Sequence, residues 1–491
     1  MLKNSTARGD NLAQVQEEHC VKLTDLPFWS KRAADWAEEY HATLRDHVVR
    51  APVTPGFVLE DIPTEPPEAP EGMEQIFEDF EDIIPGAMTH WQHPRFFAYF
   101  PANSSPASML AEQLATAMSA QCMLWQTSPA ATELEIAMIR WLAQALGLPA
   151  GMQGVIQDSA TSATLSAVLT MRERALGWKG LDEGLAGGPV MRVYASAETH
   201  SSVDKAVRLA GIGQKNLVKV PTDENGAMDP AAFEAAVEAD KAAGMLPIGL
   251  VLCTGGTSTG AFDRITPLME VAKAHDLYTH VDAAWAGSAM VCPEFRTLWE
   301  GVEQADSVVF NPHKWLGVSF DCSVQFLADP TAQIKTHSLR PAYLATDDHA
   351  DEEITDFSEW TIPLGRRFRA LKIWFVLRAY GLEGLRERIR NHVQWTQDAA
   401  AALQDDPRFE IVTEPRLGLF TFRLTPSSEH TSDITNQLLK AVNDDGRIYL
   451  TPTMVKGTPV IRFSVGQFDC TKDDVMMGVD VIRELATMLL R

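Results

Sequence analysis

Asn311-Pro312-His313-Lys314-Trp315 follows an apolar run, Asp306-Ser307-Val308-Val309-Phe310, and that run reads as a buried strand. The strand delivers one lysine among aromatic and apolar neighbours. Lysine is strongly hydrated and rarely fully buried. Held in such a setting it loses solvation, which lowers its pKa and makes it an amine nucleophile toward a carbonyl. The plain alternative is a lysine that snorkels past Trp315 into water. The pentapeptide alone does not decide between them, so the flanking segments have to.

Working back from Lys314, strands alternate with helices from Gly154 onward. Val155-Ile156-Gln157 is a short strand, and Asp158-Ser159-Ala160-Thr161-Ser162 turns into a helix reaching about Leu176. Val190 to Ala195 is a strand ending in Glu198-Thr199-His200-Ser201-Ser202, which caps a helix. Leu217 to Val220 is a strand, and Asp229 to Ala243 a helix. Pro247 to Cys253 is a strand opening into Thr254-Gly255-Gly256, small residues that allow close approach. Tyr278-Thr279-His280-Val281 is a strand ending at Asp282-Ala283-Ala284-Trp285. Strands separated by helices imply a parallel sheet with crossover connections, hence an α/β fold. In open sheets of that kind the ligand lies beyond the carboxyl ends of the strands. Asp158-Ser159, His200, Thr254, Asp282 and Lys314 all fall at such ends.

Together those positions match one type of ligand: a phosphate, an aromatic ring with a basic nitrogen, and an aldehyde. The helix start after Asp158 suits the phosphate, through free N–H groups and the helix dipole. A buried carboxylate, Asp282, would keep the ring nitrogen protonated. The imidazole of His200 could stack on the ring, and Lys314 could form an imine with the aldehyde. Pyridoxal 5'-phosphate requires this set of contacts. Each residue also has an ordinary structural role open to it: Asp282 as a helix cap, His200 as a satisfied half-buried histidine, Thr254 as a turn former.

Composition narrows the class. The chain has 491 residues and a net charge of −24, which opposes binding to nucleic acid or anionic membranes. Cys20, Cys122, Cys253, Cys292, Cys322 and Cys470 are scattered, so no zinc or CxxC pattern is present and no metal is expected. No apolar run approaches the length of a membrane span, and the N-terminus lacks an apolar signal core. The expectation is a cytoplasmic protein with reduced thiols. Trp29, Ala33, Trp36, Tyr40, Leu44 and Val48 predict an amphipathic helix over 26–50, short of neighbours and so a candidate for packing on a second subunit. A proline-rich linker, 51–70, is expected to run extended. The aromatic stretch from His90 and Trp91 to Tyr99-Phe100-Pro101 reads as a core plug or as the wall of an apolar pocket. Helices are expected over 108–124, 128–146 and 368–381, with a long acidic loop at 337–360 between the last two. From about Arg390, strands and helices alternate in a small α+β domain.

The chain resembles the group II pyridoxal-phosphate decarboxylases, and within them the aromatic L-amino-acid decarboxylases. The resemblance rests on Phe96-Phe97-Ala98-Tyr99-Phe100-Pro101, Ser128-Pro129-Ala130 with Thr132-Glu133-Leu134-Glu135, and Thr199-His200-Ser201-Ser202-Val203. It continues through His280-Val281-Asp282-Ala283-Ala284, Asn311 to Trp315, and Ile362 to Arg369. It implies a fold-type I architecture with a mainly parallel seven-stranded sheet. It divides the chain into a dimer-swapped arm and linker (1–100), a cofactor-binding large domain (101–390) and a small domain (391–491). A homodimer is implied as well.

By residue, the resemblance implies that Lys314 bonds the cofactor covalently and Asp282 pairs with its ring nitrogen. His200 stacks on the ring near the substrate carboxylate. Ala160, Thr161 and Asn311 hold the phosphate, and Thr254, Ala284 and His313 line the cofactor. Trp91, Tyr99, Phe100 and Pro101 form the aromatic substrate pocket. Tyr343, on the 337–360 loop, protonates the product. Ala102 stands where relatives often carry a hydroxyl, and Asp158 where many carry glycine, so its carboxylate is expected to turn away from the phosphate. The implied reaction is decarboxylation of tryptophan, tyrosine, phenylalanine or dihydroxyphenylalanine to the amine. A decarboxylase of another amino acid, an aldehyde synthase or transaminase of the same fold, and a non-enzymatic binding protein are the alternatives.

Overall fold

The apolar runs that read as strands are buried on both faces, as a helix-covered parallel sheet requires. The structure is a computed structural model describing residues 21–339, 354–425 and 433–491. Its first elements are helices α1 (Leu26–Thr43), α2 (Met73–Ile83), α3 (Pro106–Met118) and α4 (Pro129–Leu146). The large sheet comprises β1 (Gln153–Gln157), β2 (Met191–Ser196), β3 (Leu217–Val220), β4 (Leu246–Cys253), β5 (Tyr278–Asp282), β6 (Ser307–Phe310) and β7 (Ser323–Leu327). Their order is β1-β7-β6-β5-β4-β2-β3, and only β7 runs against the rest. The sheet is therefore mainly parallel and seven-stranded, as expected.

Helices cover both faces. Helix α5 (Ala160–Ala175) and α6 (Ser201–Leu209) bury Ala167, Met171, Val203 and Val207 against Val193, Ala195 and Val251. Tyr194, Leu250, Leu252 and Val281 belong to the larger core on the opposite side. This period-two alternation sends neighbouring strand residues to different faces. Gly249 marks the tightest approach: an added Cβ would come within 2.4 Å of Met171 Sδ.

The large domain continues through α7 (Pro230–Ala242), α8 (Ile265–Ala274), a single helical turn α9 (Pro312–Trp315) and α10 (Thr331–His337). Helix α11 (Arg369–Gln404) is broken only at Gly381, whose φ is 61°. It then leads into a four-stranded antiparallel sheet, order β10-β11-β9-β8. Its strands are β8 (Phe409–Arg416), β9 (Leu419–Leu424), β10 (Thr451–Val455) and β11 (Thr458–Ser464). Helices α12 (Ile434–Asp445) and α13 (Lys472–Leu489) close that core.

Several boundaries differ from expectation. The first helix stops at Thr43, not 50, because Val49 spends its backbone elsewhere: its N–H donates to Gly446 O and its carbonyl accepts from His90 N–H. Nor does that helix lack neighbours in its own chain. Trp29 stacks on Phe77 at 5.4 Å and Trp36 meets Phe80 at 5.0 Å, both on α2, an element absent from the reading above. The linker contains a short helix, Phe57–Asp61. Helix α3 ends at Met118, with Ser119 in the left-handed region at φ 49°. The helix predicted to end at 381 instead resumes beyond Gly381 and runs to Gln404.

One buried ion pair fastens the edge that leads into the site. Arg366 Nη2 meets Glu135 Oε1 at 2.6 Å, and both side chains are almost wholly buried. The same carboxylate accepts from Ile156 N–H, while Arg366 donates to Ile156 O, so the pair brackets β1. Removing one partner strands the other charge. Glu135→Ala is expected to cost about 3–5 kcal/mol of stability, seen as a lower urea midpoint. An unchanged midpoint would show that Arg366 is compensated by other groups.

Candidate active site

Strands β1, β2, β4, β5 and β6 point the same way, so their carboxyl ends open onto one cavity. Ser159, Ala160 and Thr161 enter it after β1, and His200 after β2. Cys253 ends β4 and Gly255, Gly256 and Thr257 follow it; Asp282 ends β5 and Ala284 and Trp285 follow it. Asn311, His313, Lys314 and Phe320 complete the lining after β6. The positions singled out at the strand ends thus converge, with Thr254 between two lining residues. Asp158 itself is not among the lining residues, and its Oδ1 accepts from Ser159 N–H.

Lys314 is set by the turn that follows β6. Its N–H donates to Asn311 O at 3.0 Å, and Asn103 Nδ2 donates to its carbonyl. Burial pulls its amine below the ordinary lysine value; Asp282 opposes that pull and Arg462 adds to it. Asp282 ends β5, with Oδ1 accepting from Ala284 N–H at 3.0 Å. That leaves the other carboxylate oxygen for a ligand. His200 caps α6, its Nδ1 accepting from Ser202 N–H at 3.1 Å, so a neutral ring carries its proton on Nε2. The capping role and a place in the cavity therefore coexist. His313 Nδ1 accepts from Cys322 N–H at 2.9 Å, and burial pushes its pKa down to about 3, which keeps the ring neutral with the proton on Nε2. Asn311 Oδ1 accepts from Ser323 Oγ at 2.7 Å, which orients its amide N–H₂ as donor.

Two supporting residues carried no role in the sequence reading. Asn103 is buried and bridges Lys314 O, Gly466 O and Phe468 N–H, tying the lysine turn to the C-terminal domain. In the sequence it is one polar residue in a Pro-Ala-Asn-Ser-Ser turn, with nothing to mark it. His280 lies two residues before Asp282, wholly buried. Its Nδ1 is hydrogen-bonded to Ser307 Oγ at 2.9 Å, and the same hydroxyl accepts from Gln325 Nε2. The Nε2 of His280 is hydrogen-bonded to Thr164 Oγ1 of α5 at 3.3 Å. Burial lowers the pKa of His280 to about 4. This bond fixes the helix that starts at Ala160 relative to the strand that carries Asp282.

The aromatic stretch divides. Phe100 is buried, stacked on Trp285 at 4.7 Å and edge-on to Trp315 at 5.1 Å, one layer behind the cavity wall. Trp91 and Tyr99 stack on each other at 5.6 Å and remain about 40% exposed in the single chain. Pro101 is buried, and none of the four is among the cavity-lining residues. Tyr99 connects to the site through Arg462, which donates to its carbonyl. Trp285 and Phe320 bring aromatic surface into the cavity itself. Tyr343 lies outside the described residues.

The conserved domain of pyridoxal-dependent decarboxylases matches residues 55–425. This chain belongs to that family. It is 41% identical over 473 residues to an aromatic-L-amino-acid decarboxylase of Cavia porcellus, covering 94% of this chain and 97% of that one. The crystal structure of Oryza sativa TDC with PLP and tryptamine matches with TM-score 0.93 at 32% identity, over 96% of this chain and 99% of that chain. The Rhodiola rosea 4-hydroxyphenylacetaldehyde synthase structure matches with TM-score 0.88 at 34% identity, over 96% and 100%.

The cofactor of this decarboxylase is pyridoxal 5'-phosphate, and the residues present fit it. Thr254 Oγ1 is buried without a partner among the described residues, an orphan of the kind a bound group satisfies. Helix α5 supplies free N–H groups at Ala160 and Thr161 for the phosphate. A desolvated lysine and a carboxylate with one oxygen in reserve complete the donor set.

Proposed function

We propose that this decarboxylase converts an aromatic L-amino acid (tryptophan, tyrosine, phenylalanine or dihydroxyphenylalanine) to its amine and carbon dioxide. The observation that carries the reading is the convergence of Lys314, Asp282 and His200 on one cavity at the sheet's carboxyl edge. The aromatic substrate class is supported by the Cavia porcellus and Oryza sativa relatives.

Bound pyridoxal phosphate supplies an electron sink for bond breaking at the substrate Cα. The chain's own residues do the rest. Lys314 would hold the cofactor covalently through its buried amine. Asp282 keeps a proton on the ring nitrogen. Ala160, Thr161 and Asn311 hold the phosphate, with Thr254, Ala284 and His313 around the ring. His200 would stack on the ring, with its Nε2 proton available to the substrate carboxylate. Trp91 and Tyr99, whose rings are partly exposed, would receive the aromatic side chain, with Phe100 and Pro101 packed behind as support. Tyr343 would deliver a proton to Cα in place of the departed carboxylate.

The test is amine release from a panel of the four aromatic acids, glutamate and histidine. Amine from the aromatic acids supports the reading, and turnover of glutamate alone would sink it. The second reading, an aldehyde synthase, is favoured by the Rhodiola rosea neighbour. Product analysis separates the two, since an aldehyde synthase consumes dioxygen and yields aldehyde, peroxide and ammonia in place of amine. Tyr343→Phe is expected to divert product from amine to aldehyde. Unchanged amine output would remove Tyr343 from its assigned role.

We also propose a homodimer in the cytoplasm. Support comes from Leu110, Leu114 and Met118, about half exposed along one side of α3, and from α1, which buries none of its residues in the single chain. Sedimentation at a mass of one chain would overturn it.

A further inference from the structure

Within the aromatic stretch, Tyr99 stands in the left-handed region, at φ 52°. A bulky residue keeps that conformation only where its surroundings fix it. Here they belong to the C-terminal sheet. Arg462 and Ser464 are two residues apart on β11 and so share a face. Both donate to the carbonyl of Tyr99, Arg462 Nη2 at 3.0 Å and Ser464 Oγ at 2.6 Å. Thr451 lies directly opposite Arg462 on β10. Its Oγ1 accepts from Tyr99 N–H at 3.4 Å and from Arg462 Nη1 at 2.9 Å. The third arm of the guanidinium, Nε, donates to Ser258 O at 3.1 Å, one residue beyond Thr257 in the cavity wall.

Arg462 is 4% exposed, and no carboxylate among the described residues comes within 4.0 Å of it. Burial lowers its pKa to about 10, which leaves it charged at neutral pH. A buried cation without a counter-charge is costly, and pairing two strands does not require one. What the rigid, planar fork supplies is span: one group reaches acceptors on three separate segments. We infer that Arg462, assisted by Ser464, is a positioning residue for the substrate: it holds the Tyr99 backbone in its left-handed turn and so sets the ring that receives the aromatic side chain. This role rests on the place proposed for Tyr99 in the substrate pocket.

The test is steady-state amine release by the holoenzyme from an aromatic acid, at saturating pyridoxal phosphate. Arg462→Met is expected to raise KM about 10-fold and to affect kcat far less. Ser464→Ala removes one of the two donors to the Tyr99 carbonyl and should raise KM about 3-fold. It is the smaller change, and it carries the test if Arg462→Met does not fold. Each substitution is then repeated in Tyr99→Ala, which should itself raise KM. In that background neither should raise KM again, because the ring they position is gone. A rise that persists undiminished in Tyr99→Ala, or a wild-type KM in every folded single variant of Arg462 and Ser464, would overturn the role and leave Arg462 a tie between sheet and loop. An unmoved KM in Tyr99→Ala alone would overturn it by a separate route, since Tyr99 would then lie outside the substrate pocket.

Discussion

Lys314→Ala is expected to lower kcat by about 10²–10⁴-fold, the range for losing a positioned nucleophilic or proton-transferring group. The expectation follows from the position of the amine. Burial favours its neutral, nucleophilic form, while the nearby carboxylate of Asp282 keeps that shift from running further. Lys314→Arg should be just as inactive, because a guanidinium keeps its charge and cannot act as an amine nucleophile. That variant separates charge from nucleophilicity: a salt bridge to Asp282 alone would survive it. Borohydride treatment should fix the cofactor to the wild type and to neither variant. Turnover at the wild-type rate in Lys314→Ala would remove the covalent step from the account.

Legibility in the sequence followed how much of each element's reason for existing was local. The parallel strands are continuous apolar runs, and their chemistry sits at their ends, so Asp282, His200 and Lys314 are readable from the chain alone. Strand β7 was not. Its sequence, Ser323-Val324-Gln325-Phe326-Leu327, carries a polar centre that looks unlike a buried strand. Gln325 is nevertheless fully buried, because Ser307, Gln157 and Gln333 from three other segments satisfy its amide. Those partners lie 8, 18 and 168 residues away, at no spacing that a strand or helix period would mark. The same reason hid Asn103 and the contact of His280 with Thr164. Helix α2 was missed for a different cause: its apolar residues Ile76, Phe77 and Phe80 sit between a proline-rich stretch and an aromatic cluster, and the surrounding composition dominated the reading.

Asp282→Asn is expected to lower kcat by about 10²–10³-fold, the cost of deleting one preorganised electrostatic partner in an enclosed site. Asparagine keeps the shape and can still accept from Ala284 N–H, so the variant should fold and isolate the charge. Its amide cannot hold a proton on the ring nitrogen, and it removes the opposite charge that supports the protonated form of Lys314. In the cofactor-free variant the Lys314 amine should therefore titrate at lower pH than in the wild type. The pH dependence of its modification by an amine-reactive reagent reads that shift directly. Asp282→Glu retains the negative charge and should restore the titration while leaving kcat impaired, since its longer side chain misplaces the oxygen. A wild-type kcat together with an unmoved Lys314 titration in Asp282→Asn would dissociate the carboxylate from both the lysine and the ring nitrogen. Asp282 would then be a strand-end cap that happens to face the cavity.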